Sequence, residues 1–405
     1  MKTKLMIAAL VSVIAVTSCK KNNQESKDVS DQTGTEKVRG SSVADHVIET
    51  GMTLAQINAV IAGATAGQTV LVQPGTYTIT GKINMKAGVS LVKQTTTNPI
   101  FDATSLASIL TLNYTTDMSN VTLSGITFWN IRMQISGASA PQVKYCLFDY
   151  GKRAANTDKS NNLKDDYLEY INTNNALVSN CNFMHRSTDP GRGVWVKGAT
   201  DTKVLNNTFG NGGTTGYFVC AINDNSQSNS LVDGNIINRN TALNANDALT
   251  DHGIYGHSFN GLTISNNTIT GWPTNGSGGS VKVRNGQNVT ISNNTMNGSG
   301  VLLYEYSNLP AFPFLKNVVV MSNTINVSSP ASDLYHGIGY YRDNTTDSEY
   351  SIKISDNILP NGSIVANDTK INITDFNAAG GGVYNNDTAA GYVLLKAGIT
   401  NSGNY

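Results

Sequence analysis

The chain has 405 residues with 28 Lys or Arg and 28 Asp or Glu, so its formal net charge is zero and only 14% of its residues are charged. This balance excludes a general electrostatic attraction to nucleic acid or to an anionic membrane, so any recognition of charge must be local. The length fits two or three average domains, although repeat architectures often form one domain of this size.

The first element is an export signal, in which two lysines precede an apolar run that is too short to span a membrane. The run is followed by VTSC, which resembles a bacterial lipobox and implies that Cys19 is lipidated. A plain signal peptide with an incidental cysteine is the alternative. We expect residues 1–18 to be a lipoprotein signal peptide and the polar residues 19–45 to be a flexible tether.

The next element, TLAQINAVIAGA at 53–64, has apolar residues at helical spacing and precedes an alternating strand pattern. We expect a helix that covers the open edge of the first strands.

The remaining chain repeats a short phrase, an apolar strand followed by one or two Asn and another apolar residue, as in VLNNTF, ISNNTI and ISDNIL. Hairpin folds such as sandwiches and propellers need two-residue turns that this phrase lacks. The repeat predicts an all-β, single-domain right-handed parallel β-helix, a solenoid with an N-terminal capping helix, over residues 46–405. The marker residues, expected to stack at a sharp bend, are Asn182, Asn207, Asn235, Asn267, Asn294, Asn323 and Asn357.

Three cysteines fall in this region, at Cys146, Cys181 and Cys220. Their odd number and their spacing suit neither a zinc site nor a disulfide framework, so we expect them to be buried in the core.

Counting back from the markers identifies neighbours on adjacent coils, which lie roughly 4.8 Å apart in a β-helix. The positions 12 and 10 residues before three of the markers hold aromatic or cationic residues. The coil before marker Asn235 cannot be aligned, and Tyr217 and Phe218 are its aromatic candidates. Matching strand ends places Tyr304 beside Lys282 and Tyr306 beside Arg284, with Tyr341 and Arg342 nearby. The resulting stripe is Trp195, Lys197, Tyr255, His257, Lys282, Arg284, Tyr304 and Tyr306.

One charge sign interleaved with aromatic residues favours an extended anionic ligand, typically a uronate polysaccharide. Eliminative cleavage of a uronate needs a cation for the C5 carboxylate, a base for H5 and an acid for O4. Arg284 suits the carboxylate because its fork binds bidentately, and Lys282, crowded by cationic and aromatic neighbours, is a candidate base. Tyr255 and His257 can serve as either acid or base.

Other polar residues are weaker candidates. His252 precedes the stripe, and Arg192 lies in the predicted loop FMHRSTDPGRG, with His185 and Arg186, that could border the substrate. Hydrolysis would need two facing carboxylates, and no such outward pair is predicted. Asp247 and Asp251 are weak candidates for binding calcium. The acidic residues considered are Asp165, Asp166, Glu169, Asp247, Asp251 and Glu305.

The segments DHGIYGH and GGSVKVRNGQN resemble β-helix polysaccharide lyases, the group that includes alginate lyases and chondroitinase B. The resemblance implies a lysine base with an arginine partner, carried over to Lys282 and Arg284. The K-S-x-x-N and R-H-G motifs of the chondroitinase B branch are absent, which favours an alginate-lyase-like branch with Tyr or His as partner.

We therefore expect a polysaccharide lyase that acts on a uronate polymer, with alginate favoured. A C5 epimerase on the same polymers and a glycan-binding β-helix without catalysis are the alternatives. We expect no required cofactor, with Ca²⁺ possible, and an anionic polysaccharide as partner rather than nucleic acid. The protein is expected to be a monomeric, exported bacterial lipoprotein, periplasmic or anchored by its lipid to the outer membrane or cell surface.

Overall fold

The computed structural model describes residues 46–149, 166–184, 191–211, 215–216, 218–225, 227–239, 252–274, 279–306, 314–331, 335–343 and 350–405. The predicted signal peptide, tether and Cys19 lie outside these residues, so those interpretations stay predictions.

The helix predicted near the start of the repeat region is confirmed as Leu54–Gly63. Thr53 caps its N-terminus through a capping box with Gln56, in which each residue bonds the backbone N–H of the other. Ile57 and Ile61, one helical turn apart, are buried in the hydrophobic core that runs through the described coils.

The described strands pair in parallel, because each coil places its strands beside those of the next coil. Together they form three faces. The first face contains Leu110–Tyr114, Ile131–Ser136, Leu168–Ile171, Gly191–Lys197, Phe218–Asn225, His252–Ser265, Gly279–Ser292, Val301–Glu305, Gly337–Arg342, Ser363–Ala366 and Val393–Leu395.

The second face joins the first into one 23-stranded sheet, because His252–Ser265 and Gly279–Ser292 run through both faces. Its other strands are Val47–Ile48, Thr69–Val72, Ser90–Lys93, Thr122–Ser124, Gln142–Lys144, Leu177–Ser179, Lys203–Leu205, Ser228–Asp233, Leu315–Met321, Tyr350–Ser355, Gly382–Tyr384 and Asn401–Ser402.

The third face is a separate 10-stranded sheet. Phe148, Phe183 and Phe209 stack on one another on its inner side, with ring centroids 5.1 and 4.8 Å apart. Its strands are Thr76–Thr78, Ile100–Asp102, Thr127–Trp129, Leu147–Asp149, Asn182–Met184, Thr208–Phe209, Ile236–Asn238, Thr268–Thr270, Thr295–Asn297 and Thr324–Asn326. A short helix, Ile373–Phe376, and 3-10 turns at Thr116–Met118 and Ala378–Gly380 complete the described elements.

A column of buried Asn side chains lines the bend between the second and third faces. The backbone N–H and the side-chain amide of Asn294 both donate to Asn323 Oδ1, at 3.0 and 2.9 Å. The residue before it, Asn293, has a left-handed backbone, which Asn tolerates better than most residues and which makes the bend sharp. The same donation to the next member links Asn207, Asn235, Asn267, Asn294, Asn323, Asn357, Asn386 and Asn404.

The predicted marker Asn182 is wrong, because it lies at the exposed start of a strand. Cys181 occupies the column instead, and its N–H donates to Asn207 Oδ1 at 2.9 Å. Cys146 precedes it, with its N–H donating to Cys181 Sγ at 3.4 Å. The prediction that the cysteines are buried is confirmed, including Cys220 on the first face.

Candidate functional site

The centre of the candidate site lies on the two long strands. Tyr255 pairs with Lys282, and His257 pairs with Arg284. Because side chains alternate along a strand, these four are partly exposed while the residues between them are buried. The predicted proximity of all four is confirmed.

Two rows of side chains cross the first face through this centre, and neighbours in each row are paired in register. Trp195 and Lys197 take the positions predicted for them. Asn223 and Asn225 fill the coil that could not be aligned, and the alternation in AINDN is the signal that identifies them. The inner row is Glu169, Trp195, Asn223, Tyr255, Lys282, Leu302 and Gly339; the outer row is Ile171, Lys197, Asn225, His257, Arg284, Tyr304 and Tyr341.

The predicted register of the next coil is wrong. Tyr304 pairs with Arg284 rather than with Lys282, whose partner is Leu302. Tyr306 follows the end of the strand Val301–Glu305 instead of pairing within it. The prediction for Phe218 also fails, because it is buried against Phe209, and Tyr217 lies outside the described residues.

The two cations converge on Tyr255. Arg284 Nη1 donates to Tyr255 Oη at 3.3 Å. Lys282 Nζ lies 5.7 Å from the centroid of the Tyr255 ring and 5.0 Å from that of Tyr304. A phenol oxygen and an ammonium group therefore occupy neighbouring coils, with a guanidinium beside the phenol.

Arg284 is also held from its other side. Its Cζ lies 4.0 Å from the centroid of the Tyr306 ring, a cation–π contact. The Asn285 side chain fixes the Tyr306 backbone, accepting from its N–H and donating to its carbonyl, both at 2.8 Å. The sequence analysis missed Asn285, whose only signal is its position directly after Arg284.

Three tyrosine rings extend the site beyond Arg284. Tyr304 stacks on Tyr341 with centroids 5.0 Å apart and planes 9° apart, and its centroid lies 5.8 Å from that of Tyr306. Burial and, to a lesser extent, the Asp343 carboxylate raise the pKa of Tyr304, so its hydroxyl remains protonated at neutral pH. The stack presents aromatic surface without charge.

His257 is neutral at physiological pH. Burial and the nearby Arg284 cation lower its pKa to about 4. Trp195 Nε1 can only donate, so the Asn225 carboxamide turns its oxygen towards it, at 3.3 Å. The same Asn225 oxygen lies 3.0 Å from His257 Nε2. On the other side of the ring, His257 Nδ1 lies 3.3 Å from the Ser258 hydroxyl.

The predicted substrate contacts of His252 and Arg192 need correction. His252 is fully buried, with its ring beside those of Tyr255 and Tyr335. Arg192 lies in the strand Gly191–Lys197 rather than in a loop and is only 4% exposed. Both side chains are covered, so neither has surface with which to bind a ligand directly.

Arg192 instead supports Trp195. Its guanidinium carbon lies 3.4 Å from the centroid of the indole. Asp166 holds the guanidinium through Nε and Nη2, at 3.0 and 2.7 Å. Burial raises the pKa of Asp166, although the Arg192 charge opposes that shift. Of the nearby candidates, Asp165, His185 and Arg186 lie outside the described residues.

Glu169 and Glu305 are buried, and each pairs with an arginine. Glu169 Oε1 accepts from Arg132 at 2.6 Å, and burial raises the Glu169 pKa. Glu305 is fully buried, and Arg342 lies 3.4 Å from it. Arg342 therefore points inward beneath Tyr341 and does not join the stripe.

One more carboxyl group, Asp224, lies inside the coil between Asn223 and Asn225. Burial raises its pKa to about 7, and the Ser230 hydroxyl opposes the shift only in part. No outward carboxylate pair of the kind that hydrolysis needs occurs along the described rows.

Asp247 and Asp251, the candidates for calcium, lie outside the described residues. Within the described residues, no three His, Cys, Asp or Glu side chains are close enough to hold a metal ion. Among those same residues, no helix has the length and apolarity needed to cross a membrane.

The family model described as a right-handed β-helix region matches residues 114–277. The fold is a right-handed parallel β-helix. This confirms the predicted fold class, and the β-helix accounts for the stacked coils and the Asn column. Among curated proteins, none matches the sequence.

Three solved β-helix structures are similar to this chain. The A-module of the mannuronan C-5 epimerase AlgE6 from Azotobacter vinelandii has a TM-score of 0.53 at 15% identity, covering 86% of this chain and 99% of its own. The alginate lyase AlyF-OU02, solved with G6, has a TM-score of 0.54 at 14% identity, covering 87% and 84%. PfbA, a surface adhesin of Streptococcus pneumoniae, has a TM-score of 0.50 at 12% identity, covering 85% and 84%. At these identities the likeness concerns the fold.

Proposed function

We propose that this β-helix protein is a polysaccharide lyase that cleaves a uronate-containing anionic polysaccharide by β-elimination, with alginate favoured. The observation that carries the proposal is the convergence of Lys282 and Arg284 on Tyr255 within a longer row of aromatic and cationic side chains. The fold shared with an alginate lyase and a mannuronan epimerase supports a polysaccharide substrate.

In the proposed reaction Arg284 binds the C5 carboxylate and stabilises the negative charge that develops there when H5 leaves. Lys282 must first lose its proton to solvent. The neutral amine then accepts H5, which it later returns to solvent, and the C5–H electron pair forms the C4–C5 double bond while the C4–O4 bond breaks. Tyr255 donates its hydroxyl proton to O4 and regains one from solvent. Arg284 beside Tyr255 Oη stabilises the transient phenolate.

In this scheme His257 is not a proton carrier. Both of its ring nitrogens face protein groups, Asn225 and Ser258. Because it is neutral, it does not compete with Arg284 for the carboxylate.

The test measures the ultraviolet absorbance of the unsaturated product. The protein without residues 1–45 is mixed with polymannuronate, polyguluronate, pectate and chondroitin sulfate. We expect absorbance to rise on at least one polymer and to fall by about 10²–10⁴-fold in Tyr255→Phe and Lys282→Ala. Lys203→Ala, an exposed lysine on the second face, serves as the control and keeps full activity.

A C5 epimerase is the second candidate, because the same two proton carriers on adjacent coils could remove H5 and return a proton to C5. Epimerisation in D₂O would place deuterium at C5 without ultraviolet absorbance or chain shortening. Binding of the polymers with neither product nor deuterium exchange would contradict both enzymes and favour a glycan-binding protein.

We also propose that the protein is exported and attached to a membrane through lipid on Cys19, on the basis of its VTSC segment. Mass spectrometry of the protein purified from membranes would detect the lipid. Recovery of unmodified protein with residues 1–18 removed would contradict it.

A further inference from the structure

The outer row has a distinctive order of charges. Lys197 and Arg284 are its cations, and Asn225 and His257 lie between them in register. Asn225 is uncharged, and burial beside Arg284 keeps His257 neutral above about pH 4. The row therefore presents a cation, two neutral groups and a second cation.

The distance between these cations follows from the fold. Three steps between adjacent coils separate the backbones of Lys197 and Arg284, and each step is about 4.8 Å, so the separation is roughly 14 Å. Each sugar of a 1→4-linked hexuronate chain advances the chain by about the length of one coil step, so three coil steps correspond to three sugars. Each strand contributes one residue to each of the two rows, so a ligand that reaches several of these side chains must run across the coils.

Lys197 is suited to an anion. Its side chain is exposed, and no carboxylate in the described part of the chain pairs with it. Its long stem lets the ammonium reach either edge of a bound chain. Its Nζ lies 5.4 Å from the centroid of the Trp195 ring.

The surroundings of Lys197 are built rather than incidental. Trp195 is fixed by the Arg192 guanidinium on its ring and by Asn225 at its indole nitrogen. On the preceding coil, Glu169 pairs in register with Trp195, and Ile171 pairs with Lys197. Glu169 is itself bound to Arg132. Along the described rows towards the N-terminus, Lys197 is therefore the last exposed cation.

We propose that Lys197 and Trp195 form a second carboxylate subsite, occupied by the uronate three sugars away from the one bound at Arg284. The inference rests on the proposed uronate ligand and defines its minimum length. An oligosaccharide of four sugars reaches both cations, whereas one of three sugars reaches only one of them.

The test compares oligouronates of two to six sugars. Their dissociation constants are measured by calorimetry in the Tyr255→Phe background, where turnover is blocked, and their kcat/KM values are measured with the otherwise unchanged protein. We expect affinity to rise sharply between three and four sugars. Lys197→Ala should weaken binding of four or more sugars by about ten- to a hundred-fold, as expected for one lost hydrogen bond to a charged group, and leave two and three sugars unchanged.

Two matched variants accompany the test. Lys197→Arg keeps the cation and should retain the step in affinity, and Lys203→Ala removes an exposed lysine elsewhere and should change nothing. Equal weakening of all lengths by Lys197→Ala, or no weakening, would overturn the subsite while the proposed function stands. Absence of binding and turnover of every length by the parent protein would overturn both.

Discussion

Arg284 is positioned by a chain of contacts that begins at the residue after it. Asn285 has a left-handed backbone, at φ 52°, and is fully buried. Its carboxamide pairs with the backbone of Tyr306 as a neighbouring strand would, which places the Tyr306 ring over the Arg284 guanidinium. Tyr306 thus acts as a positioning residue in addition to its predicted contact with substrate.

A double-mutant cycle tests this arrangement. Asn285→Gly keeps the left-handed backbone accessible while removing the carboxamide, and Tyr306→Leu removes the ring. Each should weaken binding of a uronate tetrasaccharide about three- to ten-fold, because each releases Arg284 from its cation–π contact. The double variant should be no weaker than the worse single variant, whereas additive losses would show that the two residues act independently. Tyr306→Phe, which keeps the ring, is the control.

His257 provides a prediction for pH. With its pKa at about 4 when folded and near 6.5 when unfolded, the unfolded chain binds more protons between these values. The free energy of unfolding should therefore fall as pH decreases from about 6.5 to 4, and His257→Gln should reduce that dependence. NMR titration of the imidazole measures the folded pKa directly, and Arg284→Gln should raise it. A folded midpoint near 6.5 would contradict the assignment.

At the scale of the element, the Asn column links each coil to the next between Asn207 and Asn404. The Asn294 amide donates to Ile264 O, Ser292 O and Asn323 Oδ1, and its oxygen accepts from Asn267. Replacing it leaves several buried groups without a partner, and each such group costs about 1–3 kcal/mol.

We expect Asn294→Ala to lower the free energy of unfolding by at least about 3 kcal/mol, measured by urea denaturation. Asn404→Ala, in the last rung of the described column, removes contacts on one side only and should cost markedly less. Equal losses would indicate that the column adds little beyond the strand pairing.

The elements also show what local sequence can specify. The helix at Leu54–Gly63 follows from its periodicity and its Thr53 cap, which are local. The assignment of Asn182 to the column fails because a buried thiol, Cys181, fills the same space, and only the neighbouring coil at Asn207 shows which residue faces inward.

The register of the site depends on a longer count. Trp195, Asn223, Tyr255 and Lys282 each lie 12 residues before the column Asn of their own coil. The count therefore places Trp195, Tyr255 and Lys282 correctly. It also holds for Asn223, in the coil that the sequence analysis could not align. Leu302 lies 21 residues before Asn323, so its coil has an insertion between strand and column and the count cannot be used there. Matching strand ends instead places Tyr304 beside Lys282, two residues away from its true partner Arg284. The burial of Arg192 and His252 depends on partners from other coils, which no count reveals.

At the scale of the whole molecule, the core is continuous from Ile48 to Ile399, and the candidate site is assembled from residues that are distant in sequence but adjacent in the stack. Glu169 and Tyr341 are separated by most of the repeat region, yet the rows that contain them are joined coil by coil. The site is thus a property of the stacking rather than of any single segment.

In the four coils from Trp195 to Lys282, the distance from the inner row to the column is always 12 residues, so the spacing of these side chains is set in whole coils. Adding or removing one residue inside that stretch would reverse the inward and outward alternation or break the column. Segments on the far side of the column can differ in length, and this is why the spacing between successive column Asn residues varies. The separation of Lys197 from Arg284 can accordingly change only by whole coils. In molecules built this way, preference for ligand length would evolve in discrete increments of one sugar, by gain or loss of complete repeats.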